Sequence, residues 1–340
     1  MRITSSSISS SEPGEGAWRA VVLAFAATAA LVFAALAAFT VVLDPYDTGR
    51  FAGSKVRGVP AQAPRTAHAS RGRDPAFEAA ILGNSHIQIL SPEELSRQTG
   101  IPFVSLAVPG TGPRETFALL DYFLRHRATL PRALVLGIDP PWCRAEPDMP
   151  TWLPFPFWLY EKSPWRYLAG LVRMGSLEDA FRRLGFVIRP SKPARPDGYW
   201  NYDEGFVWQQ ARHGPLFAAP APSGTLNESS RFPAIEALGR ELDRLPAGLP
   251  VILVRPPVHR IALAAPGSAL ARSEEACRAA LVRMAEGRRS VAILDWRVDR
   301  PEIQVAENFI DPTHYRGPIA RIVERDVAAA IAAVVAGAKP

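Results

Sequence analysis

From Ala79 to the C-terminus the chain alternates short apolar runs with longer amphipathic stretches, and this alternation admits few folds. The apolar runs are Ala79–Leu82, Phe103–Leu106, Ala133–Ile138, Val251–Val254 and Val291–Leu294. Runs of this length that are apolar at nearly every position have the pattern of strands buried on both faces. Between them, Ser91-Pro92-Glu93-Glu94 supplies a cap, a proline at the first helical position and an acidic first turn. Pro113 opens a second helix to about Arg127, and further helices are expected over Ala234–Leu245, Leu270–Glu286 and Pro318–Ala336. Strands and helices in alternation predict an α/β fold whose parallel sheet is covered on both faces. Ligands of such sheets bind beyond the carboxyl ends of the strands, where Ser85, Gly110, Asp139 and Arg255 all fall.

Two short motifs stand at that end of the predicted sheet. Gly83-Asn84-Ser85-His86 follows the first strand, so Ser85 lies at a strand-to-helix turn, exposed and held at a fixed angle. Asp311-Pro312-Thr313-His314 precedes the last helix. An Asp and a His three residues apart lie on one side of a helical turn, where the carboxylate can orient the imidazole. Together these residues are the parts of a Ser-His-Asp hydrolytic site. Asp311 before Pro312 also has the form of a helix cap, a role that competes for the same carboxylate. His86 directly follows Ser85, and its side chain is expected to point elsewhere. Arg255 and His259, after the fourth strand, are candidates for holding an anionic or sugar substrate, against the alternative of ordinary loop roles. Trp296 reads as core.

The N-terminal part has a different character. Ala20–Leu43 is 24 residues without a charge, interrupted only by Thr28 and Thr40. At about 1.5 Å per residue it spans a bilayer core of about 30 Å with some tilt. Signal peptides carry a shorter apolar region of about 7–15 residues, so an uncleaved transmembrane anchor is expected after a short tail over residues 1–19. Arg19 before the span and Asp44 and Asp47 after it put the tail in the cytoplasm, while Arg50, Lys55 and Arg57 pull the other way. Residues 44–75 are rich in Pro, Gly, Ala and Arg without periodicity, and read as a linker between the anchor and a domain over 76–340.

An insertion at about 142–232 breaks the strand–helix rhythm. It holds Trp142, Trp152, Trp158, Trp165, Trp200 and Trp208, which either form a cap over the strand ends, pack a small core of their own or rest on the membrane surface. Cys143 and Cys277 match no metal spacing; each reads as a buried free thiol, against the alternative that the two pair in an oxidising compartment. At 340 residues and 48% hydrophobic, the chain can bury one sizeable domain. Its net charge of +6 comes from scattered basic residues rather than a stripe interleaved with aromatics, which gives nucleic-acid binding little support. No metal or organic cofactor is indicated.

Taken in order, Gly83-Asn84-Ser85, the glycine Gly110 after the second strand, Gly137-Ile138-Asp139 after the third, and Asp311-Pro312-Thr313-His314 resemble the sequence blocks of the SGNH/GDSL hydrolase superfamily. The anchor and the enlarged middle region look like its membrane-anchored branch. That branch includes proteins of alginate-type exopolysaccharide O-acetylation and of D-alanyl transfer onto teichoic acids. The resemblance implies a flavodoxin-like three-layer sandwich around a five-stranded, mostly parallel sheet. It implies Ser85 as nucleophile, His314 as general base and acid, and Asp311 as the group that fixes the imidazole tautomer. The backbone N–H groups of Ser85 and Gly110 would bind the oxyanion. It also implies a domain outside the cytoplasmic membrane, periplasmic or extracellular, acting on acylated carbohydrate with a membrane acyl-delivering partner.

One position departs from the pattern. The third block of the family usually ends in Asn, a further oxyanion donor, and here Asp139 stands in its place. An ionised carboxylate cannot donate a hydrogen bond. Either Asp139 is protonated, or Asn84 substitutes as donor, or catalysis is weak or altered. As a purely structural role, Asp139 is expected to cap the Pro140-Pro141 turn. Three functions stay open at this level: an esterase or acyltransferase on cell-surface carbohydrate, a non-catalytic glycan-binding or assembly protein, and a soluble esterase if the apolar segment does not insert.

Overall fold

The computed structural model describes residues 15–51, 56–189 and 193–337. The first 14 residues of the expected tail, and Lys55, lie outside the described residues. The chain begins with α1 (Glu15–Leu43), a helix long and apolar enough to cross a membrane. After α2 (Pro64–Arg73) come β1 (Ala79–Leu82), α3 (Pro92–Thr99), β2 (Phe103–Ser105), α4 (Pro113–Arg125) and β3 (Ala133–Gly137). The insertion carries α5 (Phe157–Tyr160), α6 (Pro164–Leu171), α7 (Met174–Ile188) and α8 (Gln210–His213). The alternation resumes with α9 (Pro233–Leu242), β4 (Val251–Arg255), α10 (Ala269–Ala285) and β5 (Val291–Asp295). A small hairpin, β6 (Phe309–Asp311) and β7 (His314–Tyr315), precedes α11 (Gly317–Val335).

The five strands form one sheet in the order β2-β1-β3-β4-β5, every pair parallel. In the register Ala79 opposes both Phe103 and Ala133, and Val251 opposes Leu134 and Val291. Because side chains alternate along a strand, the core divides in two. Ala80, Leu82, Leu134 and Leu253 join one cluster with Leu119 and Phe123 of α4, Leu238 of α9 and Leu281 of α10. Ile81, Val135, Ile252 and Val254 join another with Leu95 of α3 and Val323 and Val327 of α11. Each fully buried aliphatic side chain contributes roughly 1.5–3 kcal/mol, so the apolar runs hold helices to both faces. All five strands and their helices lie within a few residues of the sequence expectation.

Two expectations fail in this part of the molecule. Part of the stretch read as a linker packs on the domain. In α2, Ala67, His68 and Ala69 are buried, His68 is hydrogen-bonded to the Ala107 carbonyl (3.0 Å), and Tyr122 donates to the Ala69 carbonyl (2.9 Å). Asp47, also buried, accepts from Ser70 Oγ (2.7 Å) and the Gly58 amide (2.8 Å) and pairs with Arg73. Small residues rather than large apolar ones let α2 approach α4: a Cβ on Gly72 would stand 3.1 Å from the Tyr122 ring. A hydrophobic pattern therefore does not reveal it. The cysteines are the second correction, since Cys143 and Cys277 form a disulfide between the start of the insertion and α10.

The insertion does not stand apart from the sheet. Edge strand β2 receives it through the Ser105 amide, which donates to the Asp197 carbonyl (2.7 Å). Gly198 follows at φ +71°, where a Cβ would lie 2.1 Å from the Ser105 carbonyl oxygen, so only glycine lets the chain pass this edge. Trp142 is core, and Trp158 packs on Tyr46 and Tyr167 at centroid distances of 5.7 and 5.9 Å. Trp296 is buried as expected.

Candidate active site

The site is built at the carboxyl ends of β1, β2 and β3. Gly83 leaves β1 at φ +143°, and a Cβ there would meet Ile87 Cγ2 at 2.9 Å and the backbone of Gly137 at 3.3 Å. Glycine at this point lets the β1 and β3 ends close on each other and turns the chain so that Ser85 projects from the sheet. The Val108 amide donates to the Gly83 carbonyl (2.9 Å), which ties the loop after β2, with Gly110, to the Ser85 turn. No group among the described residues accepts from the backbone N–H of Ser85 or of Gly110.

His314 and Asp311 reach Ser85 from the far end of the chain. Ser85 Oγ is 2.9 Å from His314 Nε2, and His314 Nδ1 is 2.8 Å from Asp311 Oδ2. A carboxylate only accepts hydrogen bonds, so Nδ1 carries the proton and Nε2 is left to accept from the serine hydroxyl. The other Asp311 oxygen accepts from the amides of Thr313 (2.8 Å) and His314 (3.1 Å) and from Thr313 Oγ1 (2.9 Å). Burial pushes the Asp311 carboxyl up, but the His314 hydrogen bond and charge and the two Thr313 donors outweigh it and hold it well below the usual range. A helical turn is not what brings Asp311 and His314 together. They close the β6–β7 hairpin, and the Asp311 side chain folds back on the turn instead of capping α11.

The cap of α11 comes from the insertion. Asp203 accepts from the Gly317 amide (2.9 Å) and from Arg316 Nε (2.6 Å), and Tyr202 Oη donates to the Tyr315 carbonyl (2.8 Å) with its ring perpendicular to that of His314 at a centroid distance of 5.8 Å. The aromatic enrichment of the insertion was the only sequence signal for these two residues. On the other side the His259 amide donates to the Pro312 carbonyl (2.8 Å).

Three expected substrate-binding or oxyanion residues have other roles here. Asn84 Oδ1 accepts from the His86 amide (3.0 Å), which fixes the amide orientation. Its Nδ2 then spends both hydrogens, on the Thr111 carbonyl (3.3 Å) and on Asp139 Oδ2. Asn84 is scaffold, with no proton left for an oxyanion. Arg255 is buried, and its guanidinium is committed to Asp295 (2.6 Å) and Glu274 (2.9 Å). The His259 ring is buried between Phe217 and Phe309, and its Nδ1 accepts from the Ile261 amide (3.3 Å).

Asp139 is buried at the carboxyl end of β3, as its place in the sequence requires, and makes no capping bond to the Pro140–Cys143 turn. Instead it accepts from Asn84 and faces His86, whose Nδ1 lies 3.5 Å from Asp139 Oδ2. Contrary to expectation, then, the His86 side chain points into the site, its ring centroid 4.8 Å from that of His314. The residues after Ser85 form turns rather than an immediate helix, and this carries His86 to the same side as Ser85. Among the described residues no group of three His, Cys, Asp or Glu side chains is placed to hold a metal ion. No protein-family model matches the chain, and no curated protein matches it in sequence.

Proposed function

We propose that the protein is a membrane-anchored, SGNH-type serine esterase or O-acyltransferase that works on acyl esters, acetyl foremost, of cell-surface or secreted polysaccharide. One observation carries the reading: the Ser85–His314–Asp311 chain, with links of 2.9 and 2.8 Å, in the proton order that nucleophilic catalysis needs. Ser85 Oγ attacks the ester carbonyl while His314 Nε2 takes its proton, and Asp311 stabilises the imidazolium. The amides of Ser85 and Gly110 receive the oxyanion, each such donor contributing about 10²–10³ in rate. Collapse of the tetrahedral adduct expels the alcohol, protonated by His314, and leaves an acyl-serine. Water or a sugar hydroxyl, deprotonated by His314, then takes the acyl group.

The strand order β2-β1-β3-β4-β5 is that of flavodoxin-like doubly wound sheets and supports the three-layer reading, with the aromatic-rich insertion set over its edge. The length and apolarity of α1 support a single-pass anchor. Disulfides persist in oxidising compartments, so the Cys143–Cys277 bond supports a domain on the periplasmic or outer side of the cytoplasmic membrane. The partners of this reading are an acylated carbohydrate and a membrane protein that delivers the acyl group.

One observation favours a second reading. A carboxylate, Asp139, occupies the place where the family pattern has an amide donor, and it suits a non-catalytic glycan-binding or assembly protein built on the same fold. Intact-mass analysis of the full chain after exposure to a fluorophosphonate separates the two, with Ser85→Ala as control. A stoichiometric adduct on Ser85 that the control lacks is expected. Folded protein that takes no adduct, but retains polysaccharide, would move the assignment to the binding role.

A further inference from the structure

The free length of α1 marks where a bilayer would end. Residues 16–36 are exposed along the whole helix, and from Ala20, the first residue of the charge-free run, a hydrocarbon core of about 30 Å at about 1.5 Å per residue ends at about residue 39. From Ala37 onward the helix begins to be covered, and what covers it is α6 and α7. Phe39 of α1 meets Phe181 of α7 at a centroid distance of 4.8 Å. That contact lies less than one turn beyond the free stretch, at the depth of the lipid headgroups.

Helix α7 has three faces where a soluble amphipathic helix has two. Ser176, Ala180, Arg183 and Phe186 face the protein. Glu178, Arg182 and Gly185 form an exposed polar face. Between them Met174, Leu177, Phe181, Leu184 and Ile188 recur at spacings of three and four, within an arc of about 80° on a helical wheel. Met174, Phe181 and Ile188 are 71%, 55% and 66% exposed, while Leu177 and Leu184 are half-buried beside them, so the outer edge of this stripe is apolar, regular and open. Arg173 immediately before the helix, its guanidinium over the Trp158 ring at 4.7 Å, and Arg189 immediately after it are both exposed, so a basic residue flanks the helix at each end. An apolar stripe bracketed by cations is the composition of a helix lying in the plane of an anionic membrane surface.

We infer that α7 is an interfacial helix whose Met174–Phe181–Ile188 stripe inserts among the headgroups and outer acyl segments of the same anionic bilayer that α1 crosses. The occupant follows from continuity, because the stripe joins the free surface of α1 through Phe39 and Phe181. With α1 and α7 both engaged, the domain has two non-collinear attachments and a fixed tilt on the membrane. The insertion that carries α7 also supplies Tyr202 and Asp203 to the catalytic hairpin, so this attachment also orients the site.

This inference rests on the reading of α1 as a span. The test uses the full chain in vesicles of phosphatidylethanolamine and phosphatidylglycerol doped with a phospholipid carrying a photoactivatable diazirine beside its headgroup, with labelled residues mapped by mass spectrometry. Labelling of Met174, Phe181 and Ile188 comparable to that of residues 30–36, the last two exposed turns of α1, is expected. It should be lost from α7, though not from α1, in a Met174→Ser, Ile188→Ser variant, which spares the Phe39–Phe181 contact. Label on α1 with none on α7 overturns the inference while the anchor stands. Cross-links between two copies through Phe181 in place of lipid overturn it in favour of a dimer. Label on neither helix removes the anchor and the inference together.

Discussion

Asp139 shows how a carboxylate at the end of a buried strand is taken up by its neighbours. Its carboxyl group accepts from Asn84 Nδ2 and faces His86, so it has partners within the scaffold of the site. Asp139→Asn keeps an oxygen to accept from Asn84, and turnover is expected to stay within about tenfold of the parent, since loss or gain of a true oxyanion donor changes rate by about 10²–10³. Steady-state kinetics on an acetyl ester decide it. A change of more than about 10² in either direction would place the carboxylate at the developing charge itself. The positions of Ser85, Asp311 and His314, which the structure brings within hydrogen-bond reach of one another, were legible in the sequence because each lies in a short motif after a recognisable strand or before a helix. Arg255 was misread for the opposite reason. Its partners, Glu274 and Asp295, come from α10 and the end of β5, and no local pattern announces a pairing made across elements.

At the scale of elements, apolar runs and proline-led helix starts were enough to place the five strands and the helices that cover them. Elements that depend on small residues or on distant partners were not visible. The β6–β7 hairpin exists because Asp311 bonds the amides two and three residues on, and α11 begins after it on a cap lent by Asp203. A related long-range cap joins α11 to α3. Glu324 is fully buried on α11, accepts from the Ser91 amide (2.6 Å) where α3 starts, and pairs with Arg321 at 2.7 Å. Burial raises its pKa to about 7, against the opposing pull of the Ser91 amide and Arg321. The folded state thus holds a proton that the unfolded chain releases at about pH 4.5, and ∂ΔG/∂pH is negative in between. The stability concerned is fully present below about pH 4.5 and is lost as pH rises through about 7. It is on the order of 3 kcal/mol. Glu324→Gln carries no such proton, so its denaturation midpoint should gain on the parent between pH 5 and pH 8. A constant difference between the two proteins at both pH values would show that Glu324 does not titrate in this window.

The whole molecule is a sheet domain closed by its own insertion, and Cys143–Cys277 is the covalent part of that closure. The bond joins residues 134 apart in sequence. Neither the spacing nor the flanking residues reveal the pairing, because it depends on the turn after β3 and helix α10 packing into one core cluster, where both cysteines are buried. Sequence reading therefore left two buried thiols. The bond also fixes where the insertion leaves the sheet, upstream of the segments that support β2 through Asp197 and the β6–β7 hairpin through Tyr202 and Asp203. By the chain-entropy argument, closing a loop of this length stabilises the fold by about 4–5 kcal/mol. That corresponds to roughly 10 °C in melting temperature for a domain of this size. Cys143→Ser with Cys277→Ser, or reduction of the parent, should lower the calorimetric midpoint by that order. Because the insertion supplies part of the support for the His314 turn, ester turnover in the reduced protein should fall at temperatures below the onset of unfolding. If the midpoint is the same with and without reductant, the two cysteines are not paired and the insertion is held by packing alone. If the midpoint falls but turnover does not, the bond stabilises the domain without ordering its site.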